Sequence, residues 1–186
     1  LISSVLALLV MLVITNEKKK QDIKLHHTAT HDALTGLANR KFALEFLSYM
    51  LANQKRYKTQ GAVLFLDLDK FKIINDSYGH DVGDRVLIEI ALRLKNMLRE
   101  EDLLARLGGD EFIVIINSFR SLSDIDTLCN KLIQTISKTI EDKERAYEVG
   151  ISIGIATFPQ DSNTAEELLQ FADTAMFRTK DNGRNG

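Results

Sequence analysis

The spacing of apolar and polar positions divides the chain into helices and strands that interleave. Residues 40–55 carry Phe42, Leu44, Phe46, Leu47 and Leu51 at helical spacing, and Gly61 ends the loop before a strand. Ala62-Val63-Leu64-Phe65-Leu66 is an apolar run too short for a typical helix, so it reads as a buried strand running into Asp67 and Asp69. Residues 81–99 form the clearest amphipathic helix, with Val86, Leu87, Ile90, Ala91, Leu94 and Leu98 on one face. Leu103 to Asn117 reads as a hairpin with its tip at Gly108-Gly109, because paired glycines supply the positive φ of a tight turn. A helix from Leu122 to about Ile140, a strand from Tyr147 to Thr157 and a last helix from about Ala165 to Lys180 complete the series. This order predicts an α/β (α+β) fold with a mixed, largely antiparallel central sheet covered by helices.

Composition bounds the partners. The chain has 186 residues, 45% hydrophobic and 27% charged, enough for one globular domain with a short extension. Its formal net charge is only -2, so no bulk basic surface gathers a DNA or RNA polymer, and any nucleotide sits in a specific pocket. Cys129 is the single cysteine; it excludes an internal disulfide and falls in an apolar helical pattern as core packing. Residues 1–15 are almost wholly apolar, and Lys18, Lys19 and Lys20 come directly after. They read as the C-terminal part of a transmembrane helix, with the lysines placing the downstream domain on the cytoplasmic side of the inner membrane. Residues 16–29 read as a helical juxtamembrane linker, and 30–186 as the globular domain.

Candidate chemistry gathers where apolar runs end in acids. Gly108 and Gly109 carry no side chains, so a ligand phosphate can approach the backbone, and Asp110 and Glu111 come next in the chain. Two strands that deliver Asp67 and Asp110 to one sheet edge make an oxygen-rich site suited to magnesium.

At these residues the chain resembles the GGDEF family of diguanylate cyclases. The matching segments fall in the family's order from Thr30 onward: Asp32-Ala33-Leu34-Thr35-Gly36-Leu37-Ala38-Asn39-Arg40, then Asp67 to Asp84, then Arg106-Leu107-Gly108-Gly109-Asp110-Glu111-Phe112, then Asp173 to Asn185. The resemblance implies a fold related to the palm of nucleotide cyclases and polymerases. It implies an enzyme that condenses two GTP into cyclic di-GMP and two pyrophosphates across a homodimer, with inhibition by its product.

Residue roles come from the same resemblance. Asp67, the carbonyl of Leu68 and Asp110 hold magnesium, with manganese as an alternative, and Glu111 supports that site. Asp110 draws the proton from the attacking 3′-hydroxyl. Asn75 and Asp84 read guanine, whose N1–H and N2–H a carboxylate accepts while adenine would leave Asp84 unpaired; His80 sits beside the nucleotide. Lys72, Lys180 and Arg184 neutralise phosphates. Arg99 and Asp102, separated from Gly108 by five residues, match the family's inhibitory product site, where arginine offers bidentate phosphate bonds and stacking.

Three departures stand out. Phe177 replaces a usual Tyr, Thr179 replaces a usual Ala, and Gly186 ends the chain where members continue into a final short strand, so an incomplete sheet edge is expected. A catalytically silent GTP or cyclic di-GMP binding module is the alternative; the signature acids and phosphate cations, all present, favour the enzyme.

Overall fold

A computed structural model describes residues 11, 15–19, 28–57, 59–142 and 145–186, without the side chains of 55–57. In chain order its elements are β1 (Ala38–Asn39), α1 (Arg40–Tyr57), β2 (Gly61–Asp69), α2 (Phe71–Tyr78), α3 (His80–Lys95), β3 (Leu103–Gly108) and β4 (Glu111–Ile116). The second half adds α4 (Leu122–Ile136), β5 (Ile140–Asp142), β6 (Arg145–Tyr147), β7 (Gly150–Phe158) and α5 (Ala165–Asp181).

The central sheet has the order β1-β3-β4-β2-β7, and only the β1–β3 pair is parallel. All nine residues of β2 are buried, which is why its sequence is a continuous apolar run without alternation. Alternate side chains still serve different layers. Leu64, Leu66 and Leu68 meet Val86, Leu87, Ile90 and Leu94 of α3 and Leu132 and Ile136 of α4. Val63 and Phe65 face the layer built by Leu47 and Leu51 of α1 and Leu168, Leu169 and Met176 of α5. α5 crosses β7 at Gly154, where a Cβ would collide with the backbone of Ala172 and Met176. The mixed, largely antiparallel sheet under helices matches the expectation from sequence.

Several local expectations are corrected. The helix expected over 81–99 ends at Lys95, and Asn96 begins a turn that leaves Arg99 and Asp102 in a loop. The helix expected to reach Ile140 stops at Ile136, and Ile140 instead opens β5, which pairs with β6 as a separate ribbon. Helix α2 was hidden behind Lys70, whose left-handed backbone (φ 63) separates it from β2.

Cys129 is buried in the core as expected, and its burial pushes the thiol up to about 12. Most of the apolar segment 1–15 and of the linker lies outside the described residues; 15–19 and 28–30 are helical. Among the described residues no helix is long and apolar enough to cross a membrane.

Candidate active site

The β3–β4 hairpin puts the acids in place. Its tip has Gly108 at φ 145 and Gly109 at φ 53, conformations that a side chain would strain. The pairing slips between Arg106 and Gly108, a bulge that re-aims the tip. Arg106 fastens it: Nε and Nη2 donate to the Gly109 carbonyl at 3.0 and 2.7 Å, and Nη1 donates to Asp32 Oδ1 at 3.0 Å. Asp32 also accepts the Thr35 N–H at 2.9 Å and the Thr35 hydroxyl at 2.6 Å. Burial would raise its carboxyl, but the Thr35 bonds and the Arg106 guanidinium outweigh that and hold it below the ordinary carboxylate value. Sequence reasoning assigned no role to Asp32, Thr35 or Arg106. The Asp-x-x-Thr spacing and an arginine two residues before a glycine pair were the available signals.

Three carboxylates then meet at one end of the sheet. Asp67 of β2 stands across from Glu111 of β4 on one side and Ser152 of β7 on the other. The Leu68 N–H donates to the Asp110 carbonyl at 3.3 Å, joining the hairpin tip to the end of β2. Burial first, and then the charges of Asp110 and Asp69, raise the Asp67 carboxyl against the pull of Lys180. Burial likewise raises Glu111, with Asp67, Asp173 and Asp110 adding to it and Arg40 opposing. Lys180 Nζ lies 2.6 Å from Asp67 Oδ1, so the closing segment of the chain does reach the acids.

Among the described residues no group of three or more acids, histidines or cysteines is placed to hold a metal ion by itself. The donor chemistry nonetheless fits a hard cation. The Asp110 charge adds to the raising of both Asp67 and Glu111, a crowding that added positive charge relieves, and magnesium completes its shell with water and substrate phosphate.

The expected nucleobase residues lie at the corner between α2 and α3, which turns on Gly79 (φ 87). Asn75 presses its side chain on Gly83, where a Cβ would collide with the amide and come within 3.1 Å of the Phe71 ring. Asp84 is the next residue and is exposed, as are His80 at the start of α3 and Lys72 at the start of α2. Asn75 and Asp84 therefore share one corner. Arg184 stands 3.9 Å from Asp69, on the side of the sheet end that carries Lys180 and Asp67.

At the expected product site the carboxylate is not paired to the guanidinium. Asp102 accepts backbone N–H groups from Arg99 at 3.3 Å and Asn117 at 3.1 Å, closing the loop, and burial foremost raises its pKa. Arg99 is exposed and lines a cavity of about 770 Å³ with Arg120 and Lys131, two cations that sequence reasoning missed.

Comparisons with known proteins bear on the fold and the family. The profile described as "Diguanylate cyclase, GGDEF domain" matches residues 29–186. The bifunctional diguanylate cyclase/cyclic di-GMP phosphodiesterase MucR of Pseudomonas aeruginosa is 41% identical over 174 residues, 94% of this chain and 25% of MucR. Diguanylate cyclase TpbB of the same species is also 41% identical, over 88% of this chain and 38% of TpbB. The chain thus spans only a quarter to two-fifths of these relatives. The solved GGDEF domain of TpbB superposes with a TM-score of 0.81 at 41% identity, covering 83% of this chain and 91% of that one. The coiled coil and GGDEF domain of DgcB from Caulobacter crescentus, solved with c-di-GMP, gives 0.85 at 27% identity over 98% and 97%. With a family match across five-sixths of its length and the acids of the signature hairpin set beside those of β2, the chain belongs to the GGDEF-domain family of diguanylate cyclases.

Proposed function

We propose that this chain is the catalytic domain of a diguanylate cyclase that joins two GTP molecules into cyclic di-GMP at the interface of a homodimer. The observation that carries the reading is the meeting of Asp67 with the Asp110–Glu111 tip at one sheet end, with Lys180 against the acids. In each half-reaction a ribose 3′-oxygen attacks the α-phosphorus of the partner nucleotide. One P–O bond forms, the bond to pyrophosphate breaks, and the hydroxyl proton passes to Asp110. Two such transfers close the ring.

Asp67, the Leu68 carbonyl and Asp110 would hold magnesium or manganese, with Glu111 in support. The cation supplies charge neutralisation on the phosphates and acidifies the attacking hydroxyl. Gly108 and Gly109 leave room for phosphate at the backbone, while Lys72, Lys180 and Arg184 offer it positive charge. Residues 1–15 with Lys18–Lys20 support anchorage in the inner membrane, the domain facing the cytoplasm, and the linker would bring two copies together. A silent binding module gains no support from a site in which each signature acid and Lys180 is retained.

Guanine selection is assigned to Asn75 and Asp84. Asp84→Ala should raise the apparent KM for GTP by about tenfold and narrow the preference over ATP by a comparable factor, since a paired acceptor is lost. Competing GTP and ATP turnover measures both; unchanged selectivity would place guanine reading elsewhere. Product feedback is assigned to Arg99 in the cavity it shares with Arg120 and Lys131. Arg99→Ala should keep initial rates within about twofold while turnover continues as product accumulates, because one bidentate phosphate contact is removed. Progress curves with added cyclic di-GMP check this, and equal inhibition of variant and parent would refute it.

A further inference from the structure

Asp69 lies two residues beyond Asp67 on the same face of β2, yet the two acids are used differently. Asp69 is 5% exposed. Its Oδ1 accepts the Ser152 hydroxyl at 2.8 Å, and its Oδ2 accepts the backbone N–H of Asn185 at 3.0 Å. The Asn185 side-chain oxygen in turn accepts the Ser137 hydroxyl at 3.2 Å and the Ile151 N–H at 3.5 Å. The Ile153 N–H donates to the Gly186 carbonyl at 2.8 Å, and the Arg184 N–H to the Thr179 carbonyl at 3.1 Å. The last turn of the chain is therefore tied to β2, β7 and the end of α4 at once.

That turn needs an external hold. Gly183, Arg184 and Asn185 have φ of 123, 66 and 54, and two successive non-glycine residues with positive φ are unfavourable unless their surroundings impose it. Room for the junction is also built in. A Cβ at Gly150 would stand 3.1 Å from Asp69 Oδ2 and 3.3 Å from Asn185 Oδ1, tighter than ordinary contact. A buried carboxylate is costly unless paired and hydrogen-bonded, and here its oxygens serve Ser152 and Asn185. Arg184 keeps 54% of its side chain exposed with Nε 3.9 Å from Asp69 Oδ1, so the acid steers the guanidinium without consuming its donors.

The geometry points to Asp69 as the positioning residue for Arg184. By pinning the turn through Asn185, it sets the place from which Arg184 reaches the phosphates of a nucleoside triphosphate. The inference rests on the phosphate-binding reading of Arg184.

Asp69→Asn keeps an acceptor for Ser152 but sets an amide donor against the Asn185 N–H. In the full chain it should raise the apparent KM for GTP roughly tenfold, the scale of one charge-assisted contact, with a smaller change in kcat. Arg184→Ala should give a similar rise, and the double variant should be no weaker than Arg184→Ala alone, because residues that act through one another are not additive. A normal KM for Asp69→Asn, or additive losses, overturns the anchor while a weakened Arg184→Ala upholds the phosphate reading. An Arg184→Ala variant with unchanged KM overturns both. Should Asp69→Asn fail to fold, Gly150→Ala crowds the same junction and enters the same cycle with the same deciding outcomes.

Discussion

Asp110→Asn should cut cyclase turnover by about a hundredfold or more and, at pH 7 without divalent cations, raise the melting temperature. The two effects have one cause. The Asp110 charge contributes to raising the carboxyls of both Asp67 and Glu111, on top of the burial that dominates each shift. An acid whose folded pKa is raised binds more protons folded than unfolded across the interval between the two values. Its contribution to stability is therefore greatest at low pH and declines as pH rises through the folded pKa. At neutral pH the cluster repels itself, and neutralising one member relieves it. The same substitution removes the proposed proton acceptor and proposed cation ligand, so activity should fall while the fold gains. A thermal melt and a turnover assay on one preparation check both effects, and wild-type turnover would rule out the role of Asp110.

Arg106→Ala should destabilise the domain by about 1–3 kcal/mol, the scale of bonds to a charged donor whose partners lose it. Two bonds to the Gly109 carbonyl and one to Asp32 disappear together, and the tip carrying Asp110 and Glu111 loses its brace to the 32–35 turn. The pH dependence gives a second reading. Asp32 is held below its ordinary value, so the stability it contributes is present above the unfolded carboxylate value and is lost as pH falls through the lowered folded one. Arg106→Ala should weaken that acid limb. Denaturant melts between pH 3 and pH 7 measure it, and a variant with unchanged stability and acid limb would show that the brace is idle.

The sequence made the site legible where one chain segment carries the whole signal. β2 is buried on both faces, so its apolar run and its acidic end stand out together, and the glycine pair marks the hairpin tip. The long amphipathic stripe of α3 was equally plain, although Leu98 extended it past the true end at Lys95. What escaped depends on contacts distant in sequence. Arg106 meets Asp32 across 74 residues, and Asn185 meets Asp69 across 116, separations at which no local pattern links the partners. β5 and β6 escaped for another reason: three residues each are too few to show a period. Asp102 stood out in the sequence as a candidate, but its role in closing the loop did not, because its partners are backbone N–H groups that nearly every residue type offers.

The proposed conversion of GTP into a cyclic dinucleotide through two facing half-sites can be tested directly. The most direct measurement incubates the purified protein with GTP and magnesium over a dilution series and identifies the products by mass. The expected products are cyclic di-GMP and two pyrophosphates per ring, with a rate per enzyme that rises with enzyme concentration where dimers are scarce. GTP left unchanged by a folded protein that still binds it would contradict the catalytic reading, and constant specific activity from a proven monomer would contradict the half-sites.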